Sequence, residues 1–216
     1  NKWTHTFEKL AEKANGQDIH YSVKEVDVPE GYTVTEESKE KGDVILTNTH
    51  TPSTVDIPVT KIWVDNDNQD GLRPAKITVK LLANGGEVAR KDITSETDWK
   101  ETFTGLPKFK DGKEIVYTLQ EEKVENYSPS IDQESYTITN THTPGKTTLS
   151  VTKQWDDQED KDGLRPKSVK VQLYADGKKS GKVIELSAEN KWTHTFADLD
   201  KNVKGKAVTY TVEEVD

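Results

Sequence analysis

A lysine, a glutamate and an asparagine occupy core-facing positions in strand-like stretches of this sequence. Because strand side chains alternate between two faces, Lys61 falls in the middle of the apolar face of VDIPVTKIW. By the same alternation, Glu121 shares a face with the apolar residues of VYTLQEE, and Asn140 shares a face with those of SYTITN. A charged or polar group in a low-dielectric core is costly unless it is paired, neutralised or consumed by a reaction. The three residues therefore indicate a chemical site.

The chemistry that suits these side chains is formation of an amide bond. Burial favours uncharged forms, so a neutral, nucleophilic amine on Lys61 and a protonated Glu121 become accessible. The amine can attack the side-chain carbonyl of Asn140 while Glu121 shuttles protons and polarises that carbonyl. Ammonia leaves, and a neutral amide replaces the buried charge. The alternative is a non-covalent Lys–Glu ion pair capped by the asparagine, which is a far commoner arrangement in proteins.

These residues lie in a module of about 92 residues that recurs along the chain. The segment TNTHTP begins at position 47 and again at 139, and DGLRP begins at 70 and again at 162. We predict the C-terminal part of a module at 1–50, a complete module at 53–144 and the N-terminal part of a further module at 147–216. The linkers TPSTV and TPGKTT are short, so we expect a fairly stiff string of modules.

The two partial modules each carry part of the same site. Glu25 and Asn48 are the equivalent positions in the first, and Lys153 and Glu214 are those in the last. Neither part can close its own bond. Three explanations remain open for ends that fall inside modules. The boundaries could have been set without regard to the folds, or the sequence could be an excerpt of a longer array. The third is head-to-tail complementation, in which Lys153 of one chain meets Asn48 of another.

The predicted fold class is all-β, as tandem antiparallel β-sandwiches. Short alternating runs such as KITVKLL and SYTIT are separated by turns such as ANGG and ADGK, a pattern typical of antiparallel sandwiches. Hydrophobic residues make up 31% of the chain and charged residues 32%, which fits small cores with large wet surfaces. The chain has no cysteine, so no disulfide can stabilise these modules.

Charge and motif content exclude several classes of function. The formal net charge of −9 argues against a nucleic-acid or anionic-membrane partner, and no apolar run reaches membrane-spanning length. No nucleophile elbow, phosphate loop or paired-cysteine motif supports an enzyme with turnover, and we expect no cofactor. The absence of cysteine and methionine is consistent with an exposed, oxidising environment.

We also expect no metal site. The acidic runs DNDNQDG and DDQEDKDG place Asp70 and Lys161 where a calcium loop of the EF-hand type needs glycine, so we predict solvated hairpins there. His142 stands alone in a THTP segment, which favours a turn or surface role over metal binding. The five tryptophans lie in strand stripes, which predicts core packing.

The segments VTKIW, YTLQE and TITNTHTP, with DGLRP after the first, resemble the Cna B-type repeat of Gram-positive surface adhesins. The resemblance extends over the whole chain. It implies a reversed immunoglobulin-like sandwich whose first and last strands lie side by side. It also implies that Lys61 and Asn140 are the cross-linked pair and that Glu121 is the catalytic glutamate.

The function implied by the resemblance is a structural stalk on the extracellular, cell-wall-attached surface of a Gram-positive bacterium. Such repeats hold a separate ligand-binding region away from the wall, and their only reaction is one autocatalytic cross-link. Closing a loop of about 80 residues would stabilise the module by roughly 4 to 5 kcal/mol, by analogy with a disulfide. The alternative function is a module that itself binds a host matrix protein or a glycan.

Overall fold

The structure is a computed structural model that describes residues 3–39 and 42–216. Within those residues the regular structure is β throughout, apart from 3-10 structure at Gly42 and at Ser95–Thr97. Every strand pair that they form is antiparallel, except one. The predicted all-β class of antiparallel sandwiches is therefore confirmed. No helix in the described residues is long and apolar enough to cross a membrane.

The first part of the chain contains two hairpins. They are β1 (Lys13–Ala14) with β2 (Gln17–Asp18), and β3 (Thr33–Ser38) with β4 (Val44–Thr49). Residues 3–12 form no strand, and Trp3 is fully exposed. Core packing was therefore a wrong prediction for Trp3, because the described residues of this part include no counterpart of Trp155, against which the equivalent Trp192 packs.

The central part forms a complete sandwich of two sheets and one small hairpin. One sheet has the order β12-β13-β5-β8, the other has the order β11-β6-β7, and β9 pairs with β10. The strands are β5 (Thr54–Val64), β6 (Lys76–Ala83), β7 (Gly86–Thr94), β8 (Lys100–Pro107), β9 (Phe109–Lys110), β10 (Lys113–Glu114), β11 (Tyr117–Glu121), β12 (Ser128–Asp132) and β13 (Thr137–Thr141).

The first and last strands of this sandwich, β5 and β13, lie side by side and form the one parallel pair. In their register Lys61 is opposite Ile138 and Trp63 is opposite Asn140. Alternation in β5 buries Ile57, Val59 and Lys61 on one face. The inner faces of both sheets supply the core, which consists of Ile57, Val59, Ile77, Val79, Leu81, Ile93, Phe103, Tyr117, Leu119 and Ile138.

The last part repeats the first seven strands of that sandwich. Its sheets are β14-β17, β16-β15-β20 and β18-β19. The core of this part is smaller and contains Val169, Val171, Leu173, Leu186 and Phe196. The strands are β14 (Lys146–Thr152), β15 (Ser168–Ala175), β16 (Lys178–Ser187), β17 (Thr193–Asp200), β18 (Asn202–Val203), β19 (Lys206–Ala207) and β20 (Tyr210–Val215).

Candidate cross-linking site

Lys61, Glu121 and Asn140 lie together inside the central sandwich. Strands β5 and β13 present Lys61 and Asn140 from one sheet, and β11 presents Glu121 from the facing sheet. The side chains of Lys61 and Glu121 are 0% and 3% exposed, and Asn140 is 0% exposed. The inward orientation that strand alternation predicts is therefore seen at all three positions.

The amine and the amide meet at one carboxylate oxygen. Lys61 Nζ lies 2.9 Å from Glu121 Oε1, and Asn140 Nδ2 donates a hydrogen bond of 3.1 Å to the same oxygen. Lys61 Nζ makes no well-oriented hydrogen bond, and the buried Asn140 Oδ1 has no hydrogen-bond partner. Leaving such groups unsatisfied in a core is costly. The nucleophile is thus buried in an ion pair with Glu121, and the carbonyl that it would attack is buried without a hydrogen-bond partner.

Burial dominates the electrostatics of the lysine. Desolvation lowers the pKa of Lys61 from 10.5 to about 8, although the close contact with Glu121 and the charge of that carboxylate oppose this shift. A neutral amine is therefore far more accessible at Lys61 than at an exposed lysine. Among the described residues no group of three or more His, Asp or Glu side chains could hold a metal ion.

Two aromatic side chains form the wall beside the lysine. Lys61 Nζ lies 4.6 Å from the centre of the Trp63 ring, and Trp99 packs edge-on against Trp63 with the ring centres 5.1 Å apart. Cation–π attraction helps to hold the protonated amine in place. From their place in strand stripes, these tryptophans were predicted only to pack in the core. Their recurrence beside Lys153, as Trp155 and Trp192, is the signal that could have linked them to the site.

The acidic run after β5 folds over this wall, and its first residue, Asp65, is buried while others in the run are exposed. Asp65 is 2% exposed and receives two hydrogen bonds from Arg73, of 2.6 and 3.1 Å, and one of 2.8 Å from Tyr127 Oη. Burial disfavours the Asp65 carboxylate, but these hydrogen bonds outweigh burial and lower its pKa to about 2. The prediction of a solvated hairpin was wrong at Asp65, because DGLRP supplies the arginine that neutralises it.

The partial modules hold the two halves of the same arrangement. In the last part, Lys153 Nζ lies 2.9 Å from Glu214 Oε2, and in the first part Asn48 Nδ2 donates a 2.8 Å hydrogen bond to Glu25 Oε1. The side chains of Lys153 and Glu214 are 29% and 50% exposed, because no partner strand covers them. The structure therefore brings together all three functional groups only in the central sandwich, within the described residues.

Comparisons with known proteins place this fold and sequence. The family model of the Cna protein B-type domain matches residues 1–49, 57–141 and 149–216. The chain is 49% identical over 215 residues to a collagen adhesin of Staphylococcus aureus, covering 100% of this chain and 18% of that protein.

Solved structures of S. aureus repeats are similar as well. The structure of two B repeat units of the collagen binding protein matches 96% of this chain and 55% of that chain, with 48% identity and a TM-score of 0.57. A single B repeat unit of the same protein matches 76% of this chain and 87% of that chain, with 50% identity and a TM-score of 0.41. By the family model and by these identities, the chain belongs to the Cna protein B-type domain family.

Proposed function

We propose that this chain is a stalk segment of a cell-surface adhesin, and that its complete module is closed by an isopeptide bond between Lys61 and Asn140. The observation that carries the proposal is the contact of Lys61 Nζ and Asn140 Nδ2 with one oxygen of Glu121 in a buried core. A purely structural ion pair does not need an asparagine carbonyl left without a partner beside it.

The reaction balances without any cofactor. Proton transfer from Lys61 to Glu121 converts the ion pair into a neutral amine and a carboxylic acid, which burial favours. The amine then attacks Asn140 Cγ, and rotation of the Asn140 amide turns its carbonyl oxygen towards the acid, which can donate to it. Glu121 passes a proton from the attacking nitrogen to Nδ2, the bond from Cγ to Nδ2 breaks, and ammonia leaves.

The position of the bond suits a load-bearing module. Strand β5 begins next to one linker at Thr54, and β13 ends next to the other at Thr141. With Lys61 joined to Asn140, tension that enters at Thr54 passes along β5 to Lys61 and through the bond to Asn140. It then leaves β13 one residue later, at Thr141. The chain between these two residues lies outside the path of the force, so the sandwich transmits load without unfolding.

The names of its relatives support a role for this chain in a longer protein. The chain spans 18% of the length of the S. aureus protein, which is called a collagen adhesin, and one solved relative is described as a collagen binding surface protein. We therefore propose that these modules project a separate ligand-binding region from the cell wall of a Gram-positive bacterium. In this account the modules are spacers and do not bind the matrix protein themselves.

The partial modules support a second, intermolecular reaction in a sample of these 216 residues. The pair β3-β4 is the counterpart of β12-β13, and β14-β17 is the counterpart of β5-β8. Docking one pair against the other would complete a four-stranded sheet and bring Asn48 of one chain to Lys153 of the next. Denaturing gels should then show covalent multimers that Lys153→Ala abolishes; monomers alone at high concentration would refute this reaction.

Peptide mapping tests the intramolecular bond directly. We expect digestion of the purified chain to release a branched peptide in which Lys61 is joined to Asn140, identifiable by tandem mass spectrometry. Glu121→Gln, which keeps the shape but cannot shuttle protons, should yield the two linear peptides. A wild-type chain that yields only linear peptides would refute the proposal.

A further inference from the structure

The central sandwich and the last module meet through a shared carboxylate at the tip of the loop 65–73. Asp70 Oδ2 accepts hydrogen bonds of 2.9 Å from the backbone N–H of Gly145 and from His142 Nε2. Its other oxygen accepts a 3.2 Å hydrogen bond from Asn202 Nδ2 in the last module. One side chain of the central sandwich therefore binds its own end, the linker and the next module.

Contacts beside Asp70 bring the two modules close together at Gly71 and Gly205. Gly205 N–H donates a 3.0 Å hydrogen bond to Gln69 O, and Gln69 Nε2 donates another of 3.0 Å to Asp200 Oδ1. A Cβ atom on Gly71 would lie only 2.5 Å from Gly205 Cα. A side chain at position 71 would thus force the modules apart, which makes this contact a fitted surface.

The equivalent loop of the last module shows what the contact changes. This loop folds in the same way, since the N–H of Arg73 and that of Arg165 each bond a side-chain oxygen five residues back at 2.9 Å. Yet Asp162 is exposed, whereas the side chain of Asp70 is only 8% exposed. No atom lies within 4 Å of a Cβ built on Gly163. Burial of Asp70 therefore comes from the end of its own module, the linker and the next module together.

His142 makes this contact sensitive to protonation. Its Nδ1 lies 2.9 Å from the carbonyl oxygen of Asn126, and its Nε2 lies 2.9 Å from Asp70 Oδ2. Both neighbours are acceptors, and a neutral imidazole has only one N–H, so only the imidazolium satisfies both contacts. The hydrogen bond to Asp70 is the main cause that raises the pKa of His142 above its usual 6.5.

The other charged groups around this contact also favour the protonated form of His142 or are already paired. Asp65 also favours the charged His142, and the Tyr127 ring lies 5.5 Å from the imidazole. Asp200 of the next module is paired with Lys146. The stabilisation of the contact between the modules by protonated His142 should be complete below pH 6.5 and should be lost as the pH rises through the raised pKa of His142.

We propose that Asp70 and protonated His142 form the latch of a rigid joint, in which the tip of the loop 65–73 binds the corner between β17 and β18 of the following module. The latch fixes the angle between neighbouring modules, and deprotonation of His142 loosens it. The surface fits a further module of the same type, and Asp162 and Gly163 are the equivalent loop residues of the last module.

Spin-label distance measurements test the latch. The chain has no cysteine, so Val88→Cys on the central sandwich and Val183→Cys on the last module, 55% and 48% exposed, give one label on each. We expect a narrow distance distribution at pH 5.5 whose width at least doubles in Asp70→Ala. Asp162→Ala is the matched control and should leave the width unchanged.

Two further comparisons of variants distinguish loss of the latch from a general loss of stability. Gly71→Ala and Gly163→Ala strain backbones of similar φ, +70° and +67°, but only Gly71→Ala meets the next module, so only it should broaden the distribution. Asn202→Ala alters the receiving side alone and should broaden it as well. Equal widths for Asp70→Ala, Asn202→Ala and the wild type would overturn the proposal, as would equal broadening by Asp162→Ala.

A pH series tests the role of His142. The wild-type distribution should widen between pH 6 and 9, and Asp70→Ala should be equally broad throughout. A wild-type width that is constant over this range would refute the protonation step. The mass of each variant reports the Lys61–Asn140 bond separately, so failure of that bond and failure of the latch are distinguishable.

Discussion

Lys61 and Asn140 contact the same oxygen of Glu121, at 2.9 and 3.1 Å, from two neighbouring parallel strands. The arrangement needs one strand pair for the reacting groups and a facing strand for the proton carrier. It therefore exists only when the sandwich is complete. This dependence on the folded core ties the chemistry to folding, because the same burial that activates the amine is absent in the unfolded chain.

Loss of the bond should destabilise the central sandwich. Asn140→Ala keeps the Lys61–Glu121 pair but removes the acceptor, so loop closure worth about 4 to 5 kcal/mol is lost. Since each 1.4 kcal/mol is a factor of ten, amide hydrogen exchange in β5 and β6 should accelerate at least about a thousandfold. Asn48→Ala, at the exposed counterpart, should leave that exchange unchanged; acceleration of less than tenfold in Asn140→Ala would contradict the account.

The rate of bond formation should fall at alkaline pH. The reactive pair needs one proton, which resides on Glu121 when the amine of Lys61 is neutral. The pKa of about 8 at Lys61 marks loss of that last proton. Chain recovered unfolded from inclusion bodies and refolded at different pH should therefore react about tenfold more slowly per pH unit above 8. A rate that keeps rising above pH 8 would show that Glu121 donates no proton.

The buried carboxylate beside the site should matter for stability at neutral pH. The lowered pKa of Asp65 contributes about 2 kcal/mol to the free energy of unfolding. This contribution is present above pH 3.8 and is lost as the pH falls towards 2. Asp65→Asn should cost about that amount, measured by hydrogen exchange in the uncross-linked Asn140→Ala background. Asp157→Asn, at a site that is 29% exposed, should cost less in the last module. Equal costs would contradict the assignment.

Mechanical extension should distinguish bonded from unbonded modules. Pulled from its ends, the wild-type chain should show no unfolding step from the central sandwich, because the bond spans β5 and β13. Glu121→Ala should add a step of roughly 300 Å, the extended length of Thr54–Thr141. Glu214→Ala is the control for loss of an equivalent glutamate and should add no such step. A step of that size in the wild type would contradict the load path.

Strand alternation was sufficient to predict the inward orientation of Lys61, Glu121 and Asn140, because the period of two is a local property of the chain. The joint at Asp70 was beyond such reasoning, since Asp70 and Asn202 are separated by 132 positions and meet only through the packing of two modules. Burial of Asp65 was missed for a related reason, because its partner Tyr127 comes from a distant strand connection.

The mass of the intact chain tests the central claim most directly. We predict that the wild type is lighter than its sequence by one ammonia, and that Lys61→Ala, Glu121→Ala and Asn140→Ala each have their full sequence mass. Lys153→Ala, at the half-exposed counterpart, should retain the loss of one ammonia in its monomer. A wild-type chain with the full mass of its sequence would contradict the account.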